Sequence, residues 1–313
     1  MFRKYLMLAM GAAVAMCLSS PVRAEWSPDK PIKIVIPFGA GGSTDTFGRV
    51  VASAMEEETG WTVIVENRPG AGGVIGQLEV ANAEPDGYTV GLSSTSLFSI
   101  EPFMPNATGE LQPDSVDFVG TLSVIPYAIV AASDAPFDNL AELVEYAKTN
   151  GPAKFSATSQ QLTLALEQMA AEIGLNFVAA QTSGSGESLQ LVAGRHADFT
   201  ISGGVHVAYV QDGRMKVLAH MLDERADYAP DAMTVAEQGA TLPLRNYFLY
   251  NVPKGMDPEI KTALATAIDK ALQNDSVKEH AKRINVKLKN LGIEGSSEDV
   301  ASQADRWRKI LSK

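Results

Sequence analysis

Short β-branched runs that recur between helix-period segments restrict the fold of this chain more than any other feature. Runs suited to strands fall at Ile32–Pro37, Thr62–Asn67, Tyr88–Leu92, Phe118–Val124, Lys154–Ala157, Asn176–Ala180, Phe199–Ser202, Val217–His220, Tyr247–Val252 and Lys287–Asn290, and helical patterns lie between them. That alternation predicts an α/β protein. Asn139 with Glu142 makes a capping box for a helix to about Thr149, and Asp257-Pro258-Glu259 opens another to about Gln273 with proline at its first position. Ser296 or Ser297 is expected to open the last helix, with Trp307 and Ile310 packed on a core.

The stretch IVIPFGAGGSTDTFGRVV, Ile34 to Val51, joins one such strand to one such helix through Gly39, Gly41 and Gly42. Ser43 or Thr44 can cap that helix, whose apolar residues Phe47, Val50, Val51, Ala54 and Met55 share a face. Unpaired N–H groups and the dipole at a helix start make a small anion site. Nucleotide phosphates fit poorly. No lysine follows the glycines as in a P-loop, and Thr44 stands where a dinucleotide fingerprint needs its last glycine. A carboxylate is left as the ligand, alongside the alternative that the glycines serve only the turn.

Arg3 and Lys4 precede an uncharged stretch from Tyr5 to Leu18, and Val22-Arg23-Ala24 suits a cleavage site, so residues 1–24 read as a secretory signal peptide. Met16 ahead of Cys17 argues against a lipid anchor, and cleavage removes the chain's one cysteine. The mature protein is therefore expected to be soluble, with no disulfide and no thiol nucleophile. Cleavage also takes away Arg3, Lys4 and Arg23 and no acid, moving the formal charge from −11 to −14. Such a balance disfavours nucleic acid and anionic membranes as partners. It also means that affinity for an anion must come from local N–H and hydroxyl donors, because distant charges are screened within about 8–10 Å.

A second segment, VIVENRPGAGGVIGQLEVANAEPDGYTV, repeats the logic: a strand to Asn67, a glycine turn, a helix from Val74 to about Asn82, then Pro85-Asp86-Gly87-Tyr88 into the next strand. PFGAGGSTD, ENRPGAGG ending in IG, PDGYT and the TVAEQG of Thr234–Gly239 together resemble the periplasmic receptors of tripartite tricarboxylate transporters, the Bug or TctC-like family. The resemblance covers most of the chain, from Pro31 to about Lys309. It implies a type II periplasmic binding protein fold, two α/β lobes joined by two crossing strands with the ligand between them. By that layout lobe one is 25–125 plus 246–313 and lobe two 126–245, with Phe118–Ala132 and Tyr247–Val252 long and apolar enough to cross.

The family resemblance further implies a small carboxylate ligand, held by backbone N–H groups and hydroxyls, and transporter membrane subunits as partners of a monomeric receptor. Carried onto this sequence, the carboxylate site is Phe38, Gly39, Ala40, Gly41, Gly42, Ser43, Thr44 and Asp45. Here Phe38 is an apolar wall, Ser43 and Thr44 are donors, and Asp45 is a loop brace, a water-bridged partner of a ligand hydroxyl, or a plain helix-start acid. Ser93, Ser94 and Thr95 are expected to line the cleft. In lobe two the chain departs from its relatives, with Ser156, Thr158 and Ser159, then Ser183 and Gly184, then Gly203 at the matching places. His206 reads as a surface or capping histidine, or as a donor at the cleft edge.

The rival class is an enzyme. His196, His206, His220 and His280 lack metal-ligand spacing, and neither a G-x-S-x-G elbow nor an H-E-x-x-H helix occurs. No catalytic residue, metal or cofactor is therefore expected; a periplasmic hydrolase is the weaker alternative, and a ligand-loaded receptor for a sensor protein would share the same pocket.

Overall fold

The computed structural model describes residues 26–312 apart from 106, 108, 242 and 243, so the expected signal peptide lies outside the described residues. The strands are β1 (Ile32–Ile36), β2 (Val63–Asn67), β3 (Thr89–Ser94), β4 (Val116–Val124), β5 (Ala128–Ala132), β6 (Ala153–Ala157), β7 (Phe177–Gln181), β8 (Phe199–Ser202), β9 (Met215–His220) and β10 (Tyr247–Pro253). The helices are α1 (Ser43–Thr59), α2 (Val74–Ala81), the single turn α3 (Ser96–Ser99), α4 (Leu140–Asn150), α5 (Gln160–Ile173), α6 (Ser185–Ala193), α7 (His206–Gln211), α8 (Pro258–Gln273), α9 (Asp275–Arg283) and α10 (Gly292–Leu311).

Two five-stranded sheets result, ordered β2-β1-β3-β10-β4 and β7-β6-β8-β5-β9. Each has parallel strands on one side and one antiparallel strand inserted next to the edge: β10 between β3 and β4, β5 between β8 and β9. Those two inserted strands are the first reached after each crossing. The chain leaves the first sheet at Val124, crosses through Ile125-Pro126-Tyr127 and enters the second as β5; it leaves that sheet at His220 and returns as β10. The crossings run side by side. Ile125 N–H donates to the Asn246 carbonyl at 2.7 Å, and Met221 N–H to the Tyr127 carbonyl at 3.0 Å.

Burial explains the element choice. Ile32, Ile34 and Ile36 are fully buried under α1, whose Phe47, Val51 and Met55 face the same core. Phe47 meets Phe248 of β10 edge to face at 5.3 Å. Side chains of this kind each contribute about 1.5–3 kcal/mol on burial. A second core, with Phe155, Leu166, Met169 and Phe199, fills the other sheet, and Trp307 of α10 belongs to it although α10 packs along β4 and α3. The last helix thus ties the two halves together.

Local signals acted as their chemistry requires at α4, where the Asn139 carboxamide accepts from the Glu142 N–H at 3.0 Å, and at α8, where Asp257 accepts from the Glu259 N–H at 2.8 Å. Four expectations need correcting. Phe118–Ala132, expected as one crossing stretch, is divided at Ile125–Tyr127 into β4 and a further strand, β5, which was not among the expected strands. The last helix begins at Gly292, and Ser296 sits inside it with its hydroxyl donating back to the Gly292 carbonyl. Gly42, not Ser43 or Thr44, is the N-cap of α1, which frees both hydroxyls from capping. Lys287–Asn290 is no strand of the sheet but a segment tied to β4 by a Ser123–Leu288 bridge and by the Lys289 N–H to the Leu122 carbonyl.

Candidate functional site

The first glycine turn leaves β1 at Phe38 and delivers Gly42, Ser43 and Thr44, the start of α1, to a small cavity of about 40 Å³. Two further helix starts reach it from the other sheet. Thr158 and Ser159 precede α5, with Ser159 as its N-cap, and Gly184 and Ser185 open α6. Ser94 at the end of β3, Gly203 after β8, and Ile125, Tyr127, Leu162 and Phe248 complete the lining. No lysine, arginine or histidine takes part. The positive ends of three helix dipoles therefore converge where no cationic side chain stands, and each is worth about 0.3–1 kcal/mol to an anion, more where partly buried.

Hydroxyls add donors. Ser43, Thr44, Ser94, Thr158 and Ser159 are all buried, and the Ser43 Oγ has no hydrogen-bond partner. A buried hydroxyl without a partner costs free energy, so an acceptor placed in the cavity would relieve it. Tyr127 and Asn246 form the back of the site: the Asn246 amide donates to the Tyr127 hydroxyl at 3.2 Å and to Ser96 Oγ at 3.0 Å, while its carbonyl accepts from Thr95 Oγ1 at 2.7 Å. Burial raises the Tyr127 phenol well above its ordinary value, so it stays protonated and available as a donor.

The two halves touch across the site. Gly39 N–H donates to the Ser183 carbonyl at 2.8 Å. A Cβ at Gly39 would lie 2.9 Å from Ser183 Oγ, and one at Gly186 would lie 3.2 Å from the Gly41 carbonyl oxygen. Glycines at both faces let the loops close backbone to backbone. In this geometry the cavity has room for on the order of two or three waters, so a larger guest requires the halves to move apart.

Asp45 is a brace. Its Oδ2 accepts from the Gly41 N–H at 2.8 Å and its Oδ1 from Arg49 and Asn67, each at 2.9 Å. Burial pushes its carboxyl up, but Arg49, the Gly41 N–H and Asn67 outweigh that and hold it below the usual range. The Gly41 N–H is thus spent inside the loop, and Ala40 and Gly41 face Gly186 rather than the cavity. Ser93 and Ser156 are buried within their strands with unpartnered hydroxyls, and Thr95 serves Asn246. His206 lies inside the second half: its Nδ1 accepts from the Gly204 N–H at 3.3 Å and its Nε2 meets the Tyr228 hydroxyl at 2.6 Å. Burial, with the His220 charge second, lowers its pKa to about 3.

Sequence reasoning missed Ile125, Tyr127, Leu162, Ser185 and Phe248. Ser185 had a signal in the Ser183-Gly184-Ser185 run. The aromatic pair had one only as members of the crossing strands. Among the described residues no helix is long and apolar enough to cross a membrane, and no group of His, Cys, Asp and Glu could hold a metal ion.

Comparison with known proteins decides the family. The model of the tripartite tricarboxylate transporter family receptor, TctC, matches residues 47–313. The chain belongs to this family. Protein BugT of Bordetella pertussis is 32% identical over 273 residues, covering 84% of this chain and 82% of BugT. A protein of Cupriavidus necator encoded in the gbd 5′ region is 28% identical, covering 97% of this chain and 93% of its own. The structure of the periplasmic binding protein BugD superposes with a TM-score of 0.85 at 26% identity, covering 91% of this chain and 98% of BugD. A Bug/TctC receptor is a periplasmic solute-binding protein and not an enzyme, and the two sheets with paired crossings are the two-lobed fold of such receptors.

Proposed function

We propose that this receptor captures a small carboxylate, of dicarboxylate size, between its lobes and delivers it to the membrane component of a tripartite tricarboxylate transporter. The observation that carries the reading is the convergence of three helix starts and a set of buried hydroxyls on one cavity without a cation. Donors arrive from both lobes, which suits an anion with a charge at each end. Two proteins of the same fold support the class by what they hold: MatC of Rhodopseudomonas palustris with malate and R. palustris Rpa4515 with adipate.

On this reading Phe38, the Ser43 and Thr44 N–H groups, both of those hydroxyls and Ser94 serve the ligand from lobe one, at 25–125 plus 246–313, while the Gly42 N–H donates to the Gly39 carbonyl at 3.4 Å. Thr158, Ser159, Gly184, Ser185 and Gly203 serve it from lobe two, at 126–245. Asp45, Ser183 and His206 act behind the contact surface. Export removes residues 1–24 and places the chain in the periplasm as a monomer without a lipid anchor.

The test is a thermal-shift panel of malate, succinate, adipate and citrate, with calorimetry on each hit and recovery of the compound. At least one should raise the melting temperature and be recovered unaltered. Stabilisation by none, or recovery of a transformed product, would reject the proposal. Uptake of the bound compound by cells with the membrane component, with and without this receptor, tests delivery.

A further inference from the structure

A second cavity, of about 590 Å³, meets the first at a shared wall of Ile125 and Tyr127. Small-molecule sites commonly span about 300–1,000 Å³. Buried Ile125 and Val286, with half-buried Leu288 and Met221, give it an apolar floor. Its rim has the opposite character to the chain as a whole. Arg225, Arg245, Lys287, Lys289 and Arg306 stand against Asp223 and Glu224, in a protein whose formal charge is −11.

Two of these cations are occupied: Arg225 Nε lies 2.8 Å from a Glu237 carboxylate oxygen, and Lys287 Nζ lies 3.4 Å from Glu224. Arg245, Lys289 and Arg306 make no ion pair among the described residues. Asp299 lies within electrostatic reach of Arg245 and Lys289, and its own carboxyl is shifted upward because burial dominates over them. Arg245 also stands over the Tyr247 ring at 5.6 Å. The interlobe cavity recognises charge with dipoles and hydroxyls in little space. This one pairs cations that have no carboxylate partner with apolar volume and so suits a different guest.

We propose that the hinge cavity is a second binding site, for a small amphipathic organic anion whose aryl or alkyl body rests on the apolar floor and whose single carboxylate or sulfonate meets Arg245, Lys289 and Arg306. Its walls come from both crossings, Val124–Tyr127 and 221–226, and from the 287–289 segment tied to β4. Relative motion of the lobes alters its shape. Linkage then requires that a guest here and a guest in the interlobe cleft change each other's affinity by the same factor.

The probe is 8-anilinonaphthalene-1-sulfonate, titrated by fluorescence into the exported protein. One saturable site is expected. The double variant Arg306→Gln with Lys289→Gln should weaken it by about tenfold, two partly solvated charge contacts being lost, while Lys154→Gln, on a remote exposed strand position, should not. Both changed rim residues are exposed, so melting temperatures should hold. Phenylacetate should displace the probe and acetate should not, since the floor reads the apolar body. Ser43→Ala should leave probe affinity unchanged, which separates failure here from failure of the interlobe reading. Absence of saturable binding, indifference to the double variant, equal displacement by acetate, or loss of the probe on Ser43→Ala would each overturn the proposal.

Discussion

At the residue scale the most informative group is Ser43, whose hydroxyl is buried without a partner at the start of α1. A charge-assisted hydrogen bond to a carboxylate is worth about 1.5–3 kcal/mol, so Ser43→Ala should reduce affinity by about ten- to over a hundredfold. Because that hydroxyl satisfies nothing in the protein, the same change should leave the melting temperature level or raise it. Calorimetry and thermal unfolding on one preparation check both halves. His206 makes a different prediction. Its folded-state pKa of about 3 lies below the unfolded value near 6.5, so the folded chain binds fewer protons between these limits. Its contribution is therefore complete above about pH 6.5 and lost as pH falls toward 3. His220 and His280, also lowered chiefly by burial, act with the same sign. His206→Gln should flatten the acid side of the stability profile by up to about 1.4 kcal/mol per pH unit. An unchanged slope in urea unfolding between pH 6.5 and pH 4 would exclude that role.

At the scale of elements, function rests on how helix starts are aimed. The strand-to-helix turns of β1–α1, β6–α5 and β7–α6 leave their sheets at strand ends that face one another, so three sets of N–H groups share one space. Gly39 and Ser183 meet between the first and third of these turns. Gly39→Ala places a methyl 2.9 Å from Ser183 Oγ and 3.2 Å from its carbonyl oxygen only while the loops are together. Overpacking of this kind costs about 1–3 kcal/mol, so ligand affinity should fall by about fivefold to over a hundredfold while the unliganded protein keeps its stability. Equal affinity in that variant would show that closure does not need the contact.

For the whole molecule, the paired crossings make lobe motion the expected route of entry, because the cavity of about 40 Å³ is smaller than a dicarboxylate. A ligand that binds the folded protein alone should stabilise it by about 2.7 kcal/mol at a hundredfold excess over its Kd. Small-angle scattering should show compaction over the same titration, with slowed hydrogen exchange near Val124 and Tyr247. Stabilisation with an unchanged scattering profile would mean that only loops move. The packing of α10 along β4 and α3, while its Trp307 sits in the second core, limits the travel available.

The order and kind of most elements were legible in the chain itself, but β5 was not, because Phe118–Ala132 reads as one apolar stretch and only the turn at Ile125–Tyr127 divides it. β-branched runs such as Ile32–Ile36 and Phe199–Ser202, and caps such as Asn139 and Asp257, act over a few residues, and neighbours in sequence carry that information. The glycine turn ahead of α1 likewise pointed to Phe38, Gly42, Ser43 and Thr44, which line the cavity, but also to Ala40 and Gly41, which face Gly186 instead. Asp45 could be read as brace or ligand partner, and Asn67 and Arg49, one of them 22 residues away, made it a brace. Tyr127 and Phe248 give no local sign of a binding role, because what brings them to the cavity is the pairing of two crossings more than a hundred residues apart in sequence. The fate of His206 was likewise set by Tyr228, packed against it from another segment. Propensity and the caps at Asn139 and Asp257 are local and were determined by the sequence; convergence of dipoles, burial and the two cavities depend on contacts between distant segments, which only the tertiary structure decided.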